Sequence, residues 1–430
     1  SVGQDSVTRP SRSSSPPSSR PASRTPASPT RWACWSASPS PSRWPCVQCS
    51  RATPKRSAKR DAILDEGARL INLEGAGSIK IGEIAKTLGL SRNALYYYVK
   101  DRSDLVRQCY ERSCETIEDN LSCISDLPES PIEKIKAFIQ KTLLPDHPHR
   151  AALVDIAILD EPYRELIRAR QKRHVEALAG ILHEGQETGV FQSFNAAIAA
   201  HAIFGMLDWV LLWVQWVSEG TTSNHKKLAI YSKALTDCVL NGFINERAFD
   251  FACQFDYASI AQQPFNVFDK SDANRIRREQ LIQAASIVFN RMGLDGASVD
   301  TIAEQVGATK GAIYHHFQDK MALIDGCYSQ AFDIYELISD IAHEADVSAA
   351  EKLLIDFHLN CQAQASHSPP LILQPGIMRL PEEYLIRSKA LAEQMLHTFK
   401  SAQQKGQIRK GSPLLVEVTP GAFFWIQKWQ

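Results

Sequence analysis

From Ser57 onward, apolar residues recur at intervals of three and four almost throughout, and no run alternates with the period of a strand. Gly and Pro punctuate the pattern. It predicts an all-α chain. Helices are expected over 130–144, 150–158, 163–188, 196–218 and 223–243. The stretch Gly205-Met-Leu-Asp-Trp209-Val-Leu-Leu-Trp213-Val-Gln-Trp216 is apolar on all sides, as in a helix buried by several neighbours. Asp208 and Gln215 interrupt it, so no membrane span is expected there.

The pattern also repeats. Sliding the chain by 218 residues aligns Arg60–Tyr110 with Arg278–Tyr328 without a gap. Identical pairs include Asn72/Asn290, Gly75/Gly293, Gly89/Gly307, Ala94/Ala312, Tyr96/Tyr314, Asp101/Asp319 and Tyr110/Tyr328. The repeat is as long as a small domain, which implies duplication rather than a solenoid. Each copy reads as an amphipathic helix, a Gly-containing turn, a short helix, a tight glycine turn at Gly89 or Gly307, and a further helix capped by Ser91 or Thr309. That succession is a helix-turn-helix, which sets its last helix into a major groove.

On those last helices Ala94, Leu95 and Val99, or Ala312, Ile313 and Phe317, return to the core. The opposite faces carry Arg92, Asn93, Tyr96 and Tyr97 in the first copy and Lys310, Gly311, Tyr314 and His315 in the second. Arg and Asn suit base edges, and Lys, Tyr and His suit phosphates and sugars. Gly311 allows close backbone approach. Arg102 and Lys320, opening the next helix, add a cation beside amide donors. With Ser91 and Thr309 these are the candidate DNA-binding residues. No nucleophile elbow, phosphate loop or metal-ligand spacing is present, so neither a catalytic site, nor a metal, nor a cofactor is expected, and the chain is not read as an enzyme.

The string from Ser298 to Lys320, SVDTIAEQVGATKGAIYHHFQDK, resembles the DNA-binding domain of the tetracycline-repressor (TetR) family of bacterial regulators, and residues 81–102 resemble it with drift. Asn93 stands where the family has Gly, Tyr97-Tyr98 where it has His, Val99 for Phe and Arg102 for Lys. The resemblance implies two units, each a three-helix DNA-binding domain followed by a helical effector and dimerisation domain. It further implies a cytoplasmic, nucleoid-associated repressor that double-stranded operator DNA holds and a small apolar effector releases, with acyl-CoA or a related catabolite as the effector. Candidate effector residues are His174, His201, Asp208 and Trp209 in the first copy and His358 and Trp425 in the second.

The expected division is a Ser/Pro/Arg-rich disordered tail over 1–55, a first DNA-binding domain over 56–105 and its helical domain over 106–247. An aromatic-rich connector over 248–273 leads to a second DNA-binding domain over 274–323 and a helical domain over 324–430. In the last of these, Gly421-x3-Trp425-x3-Trp429 repeats the spacing of Gly205, Trp209 and Trp213 just before the sequence stops, so this domain reads as truncated. The partner is then either a second copy of the chain or, as a pseudo-dimer, the other half of the same one. A helical interaction scaffold with degenerate modules is the alternative reading.

Charge and cysteine content add little. The formal net charge is zero, but residues 1–60 hold eleven basic side chains against Asp5, leaving the remainder at −10. DNA affinity must therefore come from local patches. The basic tail fits a non-native extension, a transit-peptide-like leader or an arm with non-specific DNA affinity. Cys46 and Cys49 form a lone pair without a metal-site context, and the cysteines in helical context read as buried thiols.

Overall fold

The computed structural model describes residues 55–144, 149–216, 224–245, 251–260, 270–377 and 380–429. All belong to the compact unit 53–430. The tail, the Cys46/Cys49 pair and Phe249, Phe265 and Phe268 of the connector lie outside the described residues. Among the described residues the regular structure is helical, apart from one isolated antiparallel bridge between Ile244 and Ile408.

The first copy comprises α1 (Lys55–Glu74), α2 (Ile81–Thr87), α3 (Arg92–Tyr96), α4 (Arg102–Ser125), α5 (Pro131–Thr142), α6 (Tyr163–Glu187), α7 (Ala196–Trp216) and α8 (Asn224–Asn241). A short α9 (Tyr257–Ile260) lies in the connector. The second copy follows with α10 (Lys270–Met292), α11 (Val299–Gln305), α12 (Lys310–His316), α13 (Lys320–Glu344), α14 (Ala349–Ala365), α15 (Glu383–Gln404), α16 (Leu415–Val418) and α17 (Gly421–Phe424). Polar caps set the starts. Asp101 and Asp319 accept from the backbone N–H of the third residue of α4 and α13, and Ser348 forms a full capping box with Glu351 at α14.

Residues 150–158 differ from expectation: only Ile156–Ile158 forms a 3₁₀ turn. The Asn72 side chain accounts for this. Its amide donates to the Arg150 carbonyl (2.9 Å) and accepts from Ala152 N (2.8 Å), occupying backbone groups that a helix would need. Asn290 does the same in the second copy, with Pro370 O and Ile372 N, both at 3.0 Å. The repeat thus keeps a buried clamp from the first helix onto a later loop. Asn290→Ala is expected to lower stability by about 2 kcal/mol in urea unfolding, because both backbone groups lose their partner. An unchanged midpoint would remove the clamp role.

Helix α7 is, by length and composition, apolar enough to cross a membrane despite Asp208 and Gln215, and 61% of its apolar window is buried inside the protein. It packs on α6, α8 and α17. The Gly421–Trp429 stretch, which repeats the spacing found in α7, is not one long helix: beyond Leu414 the chain runs as α16, α17 and a 3₁₀ turn over Ile426–Lys428. In the connector, Phe251, Phe255 and Tyr257 pack with Ile338, Ala342, Leu359 and Ala363 of the second copy. Cys109, Cys114 and Cys327 are buried thiols, whereas Cys123 lies on the surface.

The copies share a core, beside which the first DNA-binding domain keeps a cluster of its own. A single apolar cluster joins α5–α8 of the first copy to α10–α17 of the second. Corresponding positions meet at two places, the first under the 218-residue offset and the second under the 216-residue offset of the shared Gly-x3-Trp-x3-Trp spacing. Gly77 N donates to Asp295 Oδ2 at 3.1 Å, and those residues correspond under the 218-residue offset. At the α7–α17 crossing, a Cβ on Gly205 would stand 2.3 Å from Gly421 O, and one on Gly421 would stand 2.8 Å from Gly205 O. Trp209 Nε1 donates to Glu417 O (2.6 Å), while in the opposite direction Trp425 Nε1 donates to Gly205 O (2.9 Å). A third contact ties the end of α8 to residues 406–409, through Arg409 to Asp237 (2.8 Å) and Asn245 to Gly406 O (2.8 Å).

Candidate nucleic-acid interface and effector cavity

Each reading helix is held by a few buried anchors. Leu95 and Val99 fix α3, and Ile313 and Phe317 fix α12. The Arg278 guanidinium lies 5.0 Å from the Phe317 ring centre. The preceding turns need Gly89 and Gly307, whose φ angles of 63° and 61° are strained for residues with a Cβ. The Ser91 and Thr309 hydroxyls then accept from Ala94 N (3.2 Å) and Ala312 N (3.3 Å), as their sequence positions predicted.

The two helices differ in length. In the first copy Tyr98 N bonds back three residues to Leu95 O (2.9 Å), closing the helix early, whereas α12 runs on to His316.

The outward faces carry the predicted residues. Ser91, Arg92, Asn93, Tyr96 and Tyr97 are exposed in the first copy, and Thr309, Lys310, Gly311, Tyr314 and His315 lie on the outer face in the second. Tyr96 and Tyr314 are 51% and 43% accessible, unusual for large rings without a partner surface. A Cβ on Gly311 would meet nothing closer than Thr309 Oγ1 at 3.9 Å, so the fold itself does not demand glycine there.

The cations have intramolecular partners. Lys310 Nζ pairs with Asp300 at 2.9 Å, and that hydrogen bond raises its pKa. The Arg102 guanidinium folds back onto the Gly77 carbonyl. Lys320 lies 6.0 Å from the Phe289 ring centre.

The six candidate effector residues do not form one site. His174 Nε2 lies 3.2 Å from Glu118, and burial lowers its pKa against the opposing pull of that carboxylate. His201 stacks on Trp429 with ring centres 5.1 Å apart. Asp208 pairs with buried Arg150 at 2.6 Å. His358 faces Phe251 of the connector, 6.0 Å between centres. Trp425 is buried in the inter-copy crossing.

Of the six, only Trp209 lines a cavity of about 90 Å³ in the second copy. This cavity lies between α13, α14, α15 and α16–α17, and Trp209 and Trp213 of the first copy form one wall. Its polar residues Ser339, Asp356, Asn360, Ser388 and Glu417 were not singled out from the sequence. The available signal was a carboxylate and an amide four residues apart in the run Leu353–Cys361, where His358 is the only other polar residue.

Two capped helix-turn-helix units joined in one chain define a tandem module of the kind that reads DNA. Comparison with known proteins agrees. The family of bacterial regulatory proteins named for tetR matches residues 63–109 and again 281–327, and the tetracyclin repressor-like C-terminal domain matches 128–239. The chain is a member of the tetR family carrying two copies of its DNA-binding domain.

Among curated relatives, it is 36% identical over 81 residues to the HTH-type transcriptional regulator AcrR of Shigella flexneri, covering 19% of this chain and 38% of that one. Over 52 residues it is 40% identical to the transposon Tn10 TetC protein of Escherichia coli, covering 12% and 26%. The matches thus span well under half of those relatives' lengths.

Among solved structures, PfmR of Thermus thermophilus aligns at 24% identity with a TM-score of 0.33, over 43% of this chain and 99% of that one. AibR in complex with isovaleryl coenzyme A and operator DNA aligns at 20% and 0.34, over 42% and 98%. FadR of Bacillus subtilis in complex with stearoyl-CoA aligns at 23% and 0.32, over 42% and 97%.

Proposed function

We propose that this chain is a transcriptional repressor in which both reading helices of one operator-binding pair come from a single polypeptide, released from double-stranded DNA by a small apolar effector. The observation that carries the reading is the self-contact of equivalent positions, Gly77 with Asp295 and Gly205 with Gly421. Equivalent residues touch in this way only near a two-fold axis, the arrangement of a symmetric dimer interface. The domain division expected from the sequence belongs to the same proposal, with the 56–247 half pairing against the 274–430 half.

The exposed rings of Tyr96 and Tyr314 would lie against backbone phosphates, with Lys310 exchanging Asp300 for a phosphate on binding. Arg92 and Asn93 on one side and Lys310 and Gly311 on the other present different groups to the bases, so the preferred site should be asymmetric. Selection of bound DNA from a random pool tests this. Enrichment of a perfect palindrome alone would favour pairing of two chains through identical halves instead.

The double variant Tyr96→Ala, Tyr314→Ala is expected to weaken operator binding at least tenfold and, because the lost contacts are uncharged, to leave its salt slope nearly unchanged, with the circular dichroism spectrum unchanged. Undiminished retention on DNA would favour the scaffold reading, in which these modules no longer read DNA.

A further inference from the structure

The cavity of the second copy has a composition that selects its ligand by charge. Six aromatic rings face it: Trp209, Trp213, Phe332, Tyr335, Phe423 and Phe424. Two carboxyl groups face it as well, and its lining includes no Lys, Arg or His. Asp356, on α14, is 8% accessible, and its hydrogen-bond partner among the described residues is the Asn360 amide, which bonds it at 3.3 Å. Glu417 faces the opposite wall. Its Oε2 accepts from Trp213 Nε1 at 2.8 Å and from the Tyr231 hydroxyl, two donors that suit a carboxylate.

A buried carboxyl group with so little hydrogen bonding destabilises the folded state when it ionises, and such groups concentrate at functional sites. Ionised, it lies in a low-dielectric chamber whose ring faces are themselves electronegative. An anion entering there would meet two like charges and no compensating cation. An acyl-CoA, with its several phosphates, would find no basic group on the wall.

We propose that this cavity binds a lipophilic organic cation, a small aryl- or alkylammonium, held by Asp356 and the ring faces of both copies. Trp209 and Trp213 belong to the first copy and the remaining wall to the second, so an occupant contacts both sides of the inter-copy crossing at once. Its action as an effector rests on the release from DNA proposed above, with a cationic ligand in place of an uncharged one; its binding does not. Burial pushes the Asp356 pKa up to about 7, so the charge the ligand needs is present at pH 8.

The test is titration of the full chain at pH 8 with benzyltrimethylammonium and, separately, with 4-phenylbutyrate, followed by calorimetry and tryptophan fluorescence. The cation is expected to bind saturably, to perturb the emission, and to bind at least tenfold tighter than the anion. Asp356→Asn should weaken the cation at least tenfold and leave the anion unchanged, and Asp356→Glu should keep the preference. If Asp356→Asn does not fold, Ala392→Phe, which fills the cavity from α15, should abolish cation binding. Equal or tighter binding of the anion, or full cation affinity in folded Asp356→Asn or Ala392→Phe, overturns the proposal. Operator binding measured in parallel separates the two readings. Saturable cation binding with no effect on DNA affinity upholds the site and removes the effector role. Absence of cation binding with intact DNA binding removes the site alone.

Discussion

Replacing Gly205 by valine is expected to lower unfolding stability by at least about 3 kcal/mol, near the upper end for overpacking a close contact. The Cβ alone would lie 2.3 Å from the Gly421 carbonyl oxygen and 2.7 Å from Trp425 Cδ1. A carbonyl fixed in the opposing turn cannot move aside as a flexible side-chain tip can. The same substitution would displace Trp425, whose indole donates to Gly205 O, and with it the bond from Trp209 to Glu417. Gly421→Ala should act in the same direction, since its Cβ would lie 2.6 Å from both Met206 Cα and Trp209 Cβ. Gly180 on α6 supplies the control, because a Cβ there meets nothing within 4 Å. Gly180→Ala should stabilise by about 0.5–1 kcal/mol through helix propensity alone. Denaturant midpoints for the three variants decide the matter. Equal effects from Gly205→Val and Gly180→Ala would mean that the crossing does not hold the copies together.

A second large effect should follow pH through Asp356. Burial raises its pKa to about 7 in the folded protein, from about 3.9 in an unfolded chain. Between those values the folded state binds the extra proton, so stability falls as pH rises from about 4 to 7. The full difference is on the order of 4 kcal/mol, at 1.36 kcal/mol per pH unit. The Asn360 hydrogen bond pulls the other way, and burial outweighs it. Asp356→Asn cannot ionise. Its stability relative to the parent should therefore rise by several kcal/mol between pH 4 and pH 8, as read from urea unfolding at each pH. A constant difference across that range would show that Asp356 titrates normally. Using the difference between variants cancels groups of the opposite sign, such as Glu118, whose pKa the Arg170 hydrogen bond lowers and which stabilises above its unfolded value.

The reading helices were legible from the sequence because their determinants are local. Ser91 and Thr309 cap helices that begin one residue later, and Gly89 and Gly307 adopt the positive φ that the turn requires. The loop at 150–158 was not legible. Its conformation depends on Asn72, some eighty residues away, and helical periodicity cannot register a side chain arriving from elsewhere. The effector residues chosen from the sequence illustrate the same limit. His174 lies on the buried face of α6 and Asp208 on the apolar α7, but Glu118 and Arg150, more than fifty residues away in sequence, engage them. The cavity wall combines α7 with α16–α17, segments separated by about two hundred residues, which no local pattern connects. What was legible at long range came from the duplication itself. The Gly-x3-Trp spacing shared by 205–213 and 421–429 marks the two surfaces that meet.

That the Gly205–Gly421 crossing joins parts of one polypeptide bears on how the protein responds to dilution. Two separate subunits associate by mass action, so the assembled fraction falls as copy number falls. Halves joined in one chain meet at an effective concentration set by their connection, whatever the amount of protein present. Occupancy of the DNA site proposed here would then rise hyperbolically from the first few molecules, without a threshold for assembly. The two reading helices could also diverge independently, because neither needs to recognise a copy of itself.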